Sequence, residues 1–306
     1  MRPTVQGMRV ITTRQWQDEG RTRSELRSGL GQGQLIRLRR GTVLEGEPPD
    51  ALSLHRAKIL AAIELLEPGT YFGHESAAVL HGLPLLNSRL AQVVVLRTGG
   101  GHGSITDTLH ARRAALAPSE VTTVDGVPVT SLARTVSDLT RRLPFPEAVM
   151  VADAGLRQGA NAGELAASIA GGGRGCRMAA RVPHFADGRA ESPGESLSRV
   201  RIHQAGLPTP ELQHDVHSRW GNLIGRLDFW WAWCRLAGEF DGMVKYGALV
   251  RPGQSVEDVI RDEKRREQRL VDEGIRVVRW TGSDLWDPNL VVRLRRALNG
   301  SIEGSP

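Results

Sequence analysis

The sequence predicts a multidomain α/β chain: a small basic helix-and-hairpin module, a mixed α+β middle part, and a C-terminal α/β domain. Three observations predict it. Helically spaced apolar residues alternate with short β-type apolar runs along the whole length. Runs such as Gly171–Gly175 interrupt that alternation where linkers belong. The charge is uneven: residues 1–45 hold nine Arg against four acids, whereas residues 190–306 hold seventeen basic and seventeen acidic side chains. At 306 residues the chain is long enough for about two domains of ordinary size. The expected boundaries are 1–48, 49–170, a linker at 171–192, and 193–300.

In the first module Thr12 or Thr13 caps a short helix through Gln17, closed by Gly20. Thr22 opens a second helix over about Arg23–Leu30, with Gly29, Gly31 and Gly33 as its stop. Leu35, Ile36, Leu38, Val43 and Leu44 flank the turn Arg39-Arg40-Gly41 and form a hairpin. Helix, tight turn, helix and basic hairpin describe a winged helix-turn-helix. Arg23 and Arg27 lie one turn apart on the second helix, and Arg37, Arg39 and Arg40 sit on the wing. Such a module sets a helix in a major groove while the wing meets phosphate. The plainer reading is a helical cap with a solvated Arg face. Arg abundance alone does not decide, because 37 of the 40 basic residues are Arg, a skew typical of a GC-rich genome.

In the middle part, helices are expected at Leu52–Leu66, His74–His81, Leu132–Arg142 and Glu147–Leu156. Val93–Leu96 reads as a buried strand and Val121–Val129 as a hairpin around Asp125-Gly126. Gly99–Gly103 and Gly171–Gly175 lack the Lys-Ser/Thr of a phosphate loop. His214 and His217 read as a surface pair, and Trp230, Trp231 and Trp233 as core. Two cysteines are too few for a disulfide framework. No apolar run reaches the roughly 18 residues of a membrane span, and Met1–Val10 lacks the apolar core of a secretion signal. These features lead us to expect a soluble cytoplasmic protein with no membrane partner.

From Pro193 the pattern runs helix, three strands, helix, strand, helix. Ser192 or Pro193 starts a helix that ends at Gly206, followed by strands at Leu212–Val216, Leu223–Trp231 and Leu236–Phe240. Ser255 and Asp258 make a capping box for a helix at Val256–Glu273. Ile275–Trp280 is a buried strand, and Asp287-Pro288 opens the last helix. Asp228 and Glu239 fall inside apolar runs on neighbouring strands. A carboxylate there is costly unless it is paired or binds a metal. Two on adjacent strands suit Mg²⁺ or Mn²⁺, because hard cations take oxygen ligands. Asp241, two residues past Glu239, shares its face and is a third candidate ligand. Glu195 on the preceding helix offers a further carboxylate, and Lys245, one of only three Lys, could orient a water or stabilise a phosphate.

Asp228, then Glu239-Phe240-Asp241-Gly242, then Glu263-x-x-Arg266-x-x-x-Leu270-x-x-x-Gly274 and Val277-Val278-Arg279-Trp280, resemble the PD-(D/E)XK nuclease superfamily, in the branch related to very-short-patch-repair endonucleases. The resemblance covers about Pro193–Leu298. It implies a restriction-endonuclease-like fold, Asp228 and Glu239 as metal ligands, Glu195 as the helix-borne acid, and metal-assisted phosphodiester hydrolysis. Where the superfamily has Lys two residues after the Glu, this chain has Asp241, as that branch tends to; either Lys245 substitutes or the site is degenerate. Residues 9–160 resemble, more loosely, AbiEi-type antitoxins and transcriptional regulators, through Glu75–Pro84, Val127–Leu139 and the helix-turn-helix. That resemblance implies promoter binding and a regulatory middle domain.

Two functions follow. One is a metal-dependent DNA endonuclease with a winged-helix targeting module; double-strand cutting would make it a homodimer. The other is an AbiEi-like regulator with a toxin partner, whose nuclease-like acids form salt bridges with Arg226, Arg235, Arg265 or Arg266. Nothing in the sequence separates DNA from RNA as the substrate.

Overall fold

The computed structural model describes the chain apart from residues 1–3, 6–7, 87–88, 100–103, 107, 171–174, 243–254 and 301–306. It divides into two compact units. One comprises Met1–Gly155 with Gly159–His184, the other Leu156–Gln158 with Phe185–Pro306. Both are mixed α/β, with three separate sheets among the described residues.

The first unit begins with a four-stranded sheet. The strands Leu35–Arg39 and Thr42–Glu45 form the expected hairpin, and Met8–Thr12 pairs with Thr42–Glu45 on its other edge. That third main strand was not anticipated, because its apolar residues are interrupted by Arg9. Its Arg9 is held by Glu45 at 3.1 Å and by Glu19 at 2.5 Å, so a strand between Thr4–Val5 and Thr42–Glu45 carries its charge paired and half-exposed. Thr12 and Thr22 cap the helices Thr13–Asp18 and Arg23–Gly31 through capping boxes with Gln15 and Glu25. Trp16 is buried, and its indole N–H donates to the Thr22 carbonyl at 2.9 Å, which pins the turn between the helices. Gly29 does not stop the second helix. It lies inside it, where a Cβ would meet Leu35 at 2.8 Å, so it is there for close packing.

The helix Ala51–Ile63 covers the sheet with Ala57 and Ala61 against Met8, Leu38 and Leu44. The same helix turns His55 toward Ser76 Oγ, at 3.0 Å, on the helix His74–Leu80. The next sheet has six strands in the order Ser104–Ile105, Leu109–Arg113, Val93–Arg97, Thr70–Phe72, Val127–Thr130, Val121–Val124. The helices His74–Leu80, Leu132–Thr140 and Phe145–Arg157 stand where the apolar spacing predicts them. The Asp125-Gly126 turn has φ of 51° and 77°, the left-handed pair that a two-residue hairpin requires. Within the stretch expected to be linker, Cys176–Ala179 and Val182–Phe185 are one-turn helices. The glycine run at 171–174 lies outside the described residues.

The second unit is built on the strands Glu211–His217, Leu223–Trp231, Leu236–Asp241 and Arg276–Thr281. They are neighbours in that order, the first three antiparallel and the last parallel to its neighbour. The helices Pro193–Gln204 and Pro288–Asn299 pack in a core with Phe229, Trp231, Leu236 and Trp280. A second cluster joins Leu270 of the helix Val256–Asp272 to Leu227, Trp230 and Ala237. Trp233 departs from expectation: it is 59% exposed, because a 3₁₀ turn at Ala232–Cys234 breaks the strand alternation that would have buried it.

Candidate functional site

Three of the sequence-predicted acids converge in the second unit. Glu195 sits in the first turn of Pro193–Gln204, whose N-cap, Ser192, accepts from the Glu195 amide at 3.2 Å. The helix is fixed to the sheet by Trp280, whose indole N–H donates to Ser198 Oγ at 2.8 Å. It also approaches closely at Gly194, where any Cβ would collide with the Phe240 ring. Asp228 lies on Leu223–Trp231. The register that pairs Phe229 with Gly238 and Trp230 with Ala237 continues to set Asp228 opposite Glu239. Asp228 Oδ2 accepts from the Phe240 amide at 2.8 Å, locking the two strands at this point.

Gln213 links the acids, and no reading of the sequence singled it out. Its register position is opposite Asp228, and its φ of 53° is in the left-handed region. Its side-chain amide donates to Glu195 Oε2 at 2.8 Å and also hydrogen-bonds Asp228. A non-glycine residue held at positive φ beside converging carboxylates is strain concentrated at a candidate site. Only its place between Leu212 and His214 in a strand of mixed polarity hinted at an inward-facing polar group.

Glu239 is buried and takes a guanidinium on each oxygen: Arg266 Nη2 at 2.8 Å on Oε1 and Arg279 Nε at 2.9 Å on Oε2. Arg279 arrives because its strand pairs in parallel with that of Glu239, residue against residue. Both arginines continue to Glu263, and Arg279 reaches Glu267 at 3.2 Å. The hydrogen bond that Arg266 donates to Glu263, joined by the charge of Glu239, holds Arg266 above its ordinary pKa, and Arg266 in turn keeps Glu263 below the usual carboxylate range. Of the four arginines weighed as structural partners for the acids, Arg266 alone meets one of them. Arg226 pairs with Asp215 and Glu191, Arg265 with Asp262, and Arg235 bonds the Glu273 carbonyl.

Asp228 is the perturbed group of the cluster. Burial raises its carboxyl from 3.8 to about 6, the Phe240 amide works against that rise, and the charges of Glu195 and Glu239 add to it. A carboxylate with a pKa near the working range is a candidate proton carrier. Asp241 closes its strand exposed and does not join these contacts. Lys245 lies outside the described residues.

The donor chemistry of Glu195, Asp228 and Glu239 is all oxygen, as Mg²⁺ or Mn²⁺ requires. Their arrangement, however, is closed by protein partners: Gln213 and the Phe240 amide engage Glu195 and Asp228, and two guanidiniums engage Glu239. Among the described residues, no group of three or more His, Cys, Asp or Glu that could hold a metal ion is assembled.

In the first unit, Arg23 and Arg27 are exposed on Arg23–Gly31, and Arg37 and Arg40 are exposed on the hairpin. None of these four has an ion pair among the described residues. Arg39 differs. Its guanidinium donates to the Ala61 carbonyl and meets Glu64 at 3.2 Å, so it ties the hairpin to the end of Ala51–Ile63. Arg14, exposed on the first helix, adds a cation that the sequence reading did not include. Arg21, by contrast, is neutralised by Glu45 and Glu19 and lies over the Trp16 ring. His214 pairs with Glu211 and stacks on Trp230.

No family model matches the chain. Two Mycobacterium tuberculosis proteins, "Uncharacterized protein Rv2248" of strain ATCC 25618 / H37Rv and "Uncharacterized protein MT2308" of strain CDC 1551 / Oshkosh, are each 34% identical to it over 160 residues. That alignment takes in 47% of this chain and 59% of the relatives' own length. Among solved structures, the crystal structure of RV2827C protein from Mycobacterium tuberculosis matches 68% of this chain and 83% of that one, with 14% identity and a TM-score of 0.37.

Proposed function

We propose that the chain binds DNA through a winged helix-turn-helix at its N-terminus and that its C-terminal unit is a restriction-endonuclease-like domain for metal-dependent phosphodiester hydrolysis. The observation that carries this reading is the convergence of Glu195, Asp228 and Glu239 from a helix and two paired strands, with Gln213 bridging the first two. Were Glu239 released from its two arginines, Glu195, Asp228 and Glu239 would hold Mg²⁺ or Mn²⁺, which would supply a Lewis acid and a more acidic bound water. Asp228 holds or releases a proton near neutral pH. Gln213 orients Glu195 and Asp228, and Arg266 and Arg279 each donate to one oxygen of Glu239. Arg23, Arg27, Arg37 and Arg40, exposed and without an ion pair among the described residues, supply the phosphate contacts that a neutral C-terminal domain lacks.

A second reading has its own observation. Both Glu239 oxygens are taken by arginine, which suits an AbiEi-like regulator whose nuclease-like site is closed. One experiment separates the two. Supercoiled plasmid and single-stranded DNA are incubated with the protein in Mg²⁺, in Mn²⁺ and in chelator, beside Asp228→Asn and Glu239→Gln. Metal-dependent nicking lost in both variants establishes the nuclease. Intact plasmid with retained DNA binding leaves the regulator. Nicking that survives both substitutions discards the site.

A further inference from the structure

The first unit contains an open cavity of about 720 Å³ lined by His74, Arg112, Asp138, Arg141, Arg142 and Gly175. These residues come from four separate segments of the fold. The volume is that of ordinary small-ligand sites. Its charge is not balanced from within. Asp138 is taken by Arg134 at 2.9 Å, which also holds Glu120 at 2.9 Å, and Glu75 stands 3.6 Å from Arg142. Arg112 and Arg141 have no carboxylate partner among the described residues. Their only side-chain bonds there are to His110 Nδ1, at 3.4 Å, and to the Ser168 carbonyl.

Three polar atoms of the lining are buried without a hydrogen-bond partner among the described residues: His74 Nδ1, Arg112 Nε and Arg141 Nε. Each such group costs folding free energy, so a cluster around one cavity calls for an explanation. His74 is also held at a φ of 50°, in the left-handed region that non-glycine residues visit rarely. The electrostatics agree. Burial first, then the charges of Arg142, Arg112 and Arg134, lower His74 to about 3. Burial and Arg142 likewise lower Arg112. His110 is lowered by burial and by the same two arginines. Gly175, at a φ of 85°, closes against the Arg141 carbonyl, where a Cβ would stand 2.1 Å away, so the backbone itself forms part of the wall.

The geometry points to a binding site for the phosphoryl group of a small phosphorylated ligand, gripped by Arg112, Arg141 and Arg142 with His74 as a further hydrogen-bonding partner. Guanidinium forks match phosphate oxygens and would find in them the acceptors the protein withholds. A concave site of this size suits a small molecule better than a duplex. The assignment stands apart from the carboxylate site, which belongs to the other unit.

Isothermal titration of the full-length protein with inorganic pyrophosphate and with AMP, at matched ionic strength in chloride, tests it. Saturable binding is expected, weakened at least about tenfold in Arg112→Ala and in Arg141→Ala. Tighter binding of AMP than of pyrophosphate identifies a nucleotide ligand; equal binding identifies the phosphate group alone. No binding of either probe, or equal affinity in wild type and variants, overturns the proposal. Should the variants misfold, phenylglyoxal labelling of the wild type read by peptide mass spectrometry replaces them. Pyrophosphate must then protect Arg112 and Arg141. Labelling unchanged by pyrophosphate and AMP, including the case in which duplex DNA alone protects, refutes a small-ligand site.

Discussion

Asp228 makes folding stability depend on pH in a direction opposite to that of a salt-bridged acid. Its carboxyl is raised from 3.8 to about 6, chiefly by burial, with Glu195 and Glu239 adding repulsion. In the folded chain it therefore keeps a proton at pH values where the unfolded chain has lost it. The stabilisation is fully present below about pH 4 and is lost as pH rises through about 6. Between about pH 5 and about pH 7.5 the linkage relation gives a loss of about 1 to 2 kcal/mol from this group alone. Asp228→Asn removes the titration while keeping an oxygen for the Phe240 amide. Urea unfolding of wild type and variant at both pH values, followed by tryptophan fluorescence, isolates the effect, since every other titrating group is common to the two proteins. Wild type should lose about 1 to 2 kcal/mol more than the variant across the window. Parallel pH dependences would refute a buried, proton-holding Asp228, as would a larger loss in the variant.

Four further outcomes follow from other contacts of the two units. Arg266→Ala leaves buried Glu239 with one guanidinium and should cost about 2 to 4 kcal/mol, largely restored when combined with Glu239→Gln in a double-mutant cycle of unfolding free energies. Arg23→Ala and Arg27→Ala should weaken duplex binding and each reduce the salt dependence of affinity by about one unit of slope, measured by fluorescence anisotropy. Arg39→Ala should leave that slope nearly unchanged and lower thermal stability instead, because its guanidinium serves Ala61 and Glu64. Trp280→Phe, which loses the bond to Ser198 that seats the Glu195 helix, should cost about 1 kcal/mol in denaturant unfolding.

The sequence alone determined the element order from Pro193 onward and most helix starts. Thr22, Ser192, Ser255 and Asp287 announce their helices because a cap needs only a local side chain and the amides two or three residues on. The hairpin turn at Asp125-Gly126 was legible for the same reason. Asp228 and Glu239 stood out because a carboxylate inside an apolar run is conspicuous wherever it occurs. Glycines were read less well: Gly29 continues its helix, since its role is set by Leu35 on another element and not by its own backbone freedom.

Tertiary structure decided what those residues face. Arginine is so common in this chain that its roles can be told apart only by neighbours. Arg39 and Arg40 are adjacent in sequence, yet one is tied to a helix end and the other is exposed. Parallel pairing of Leu236–Asp241 with Arg276–Thr281 put Arg279 on Glu239 across forty positions of chain, and strand register set Gln213 against Asp228. The cationic cavity is the extreme case. His74, Arg112, Arg141 and Gly175 carry no motif in common, and their shared field arises only where four segments meet. Local capping and patterning depend on near neighbours and can be read along the chain; charge compensation depends on distances through space, which folding alone sets.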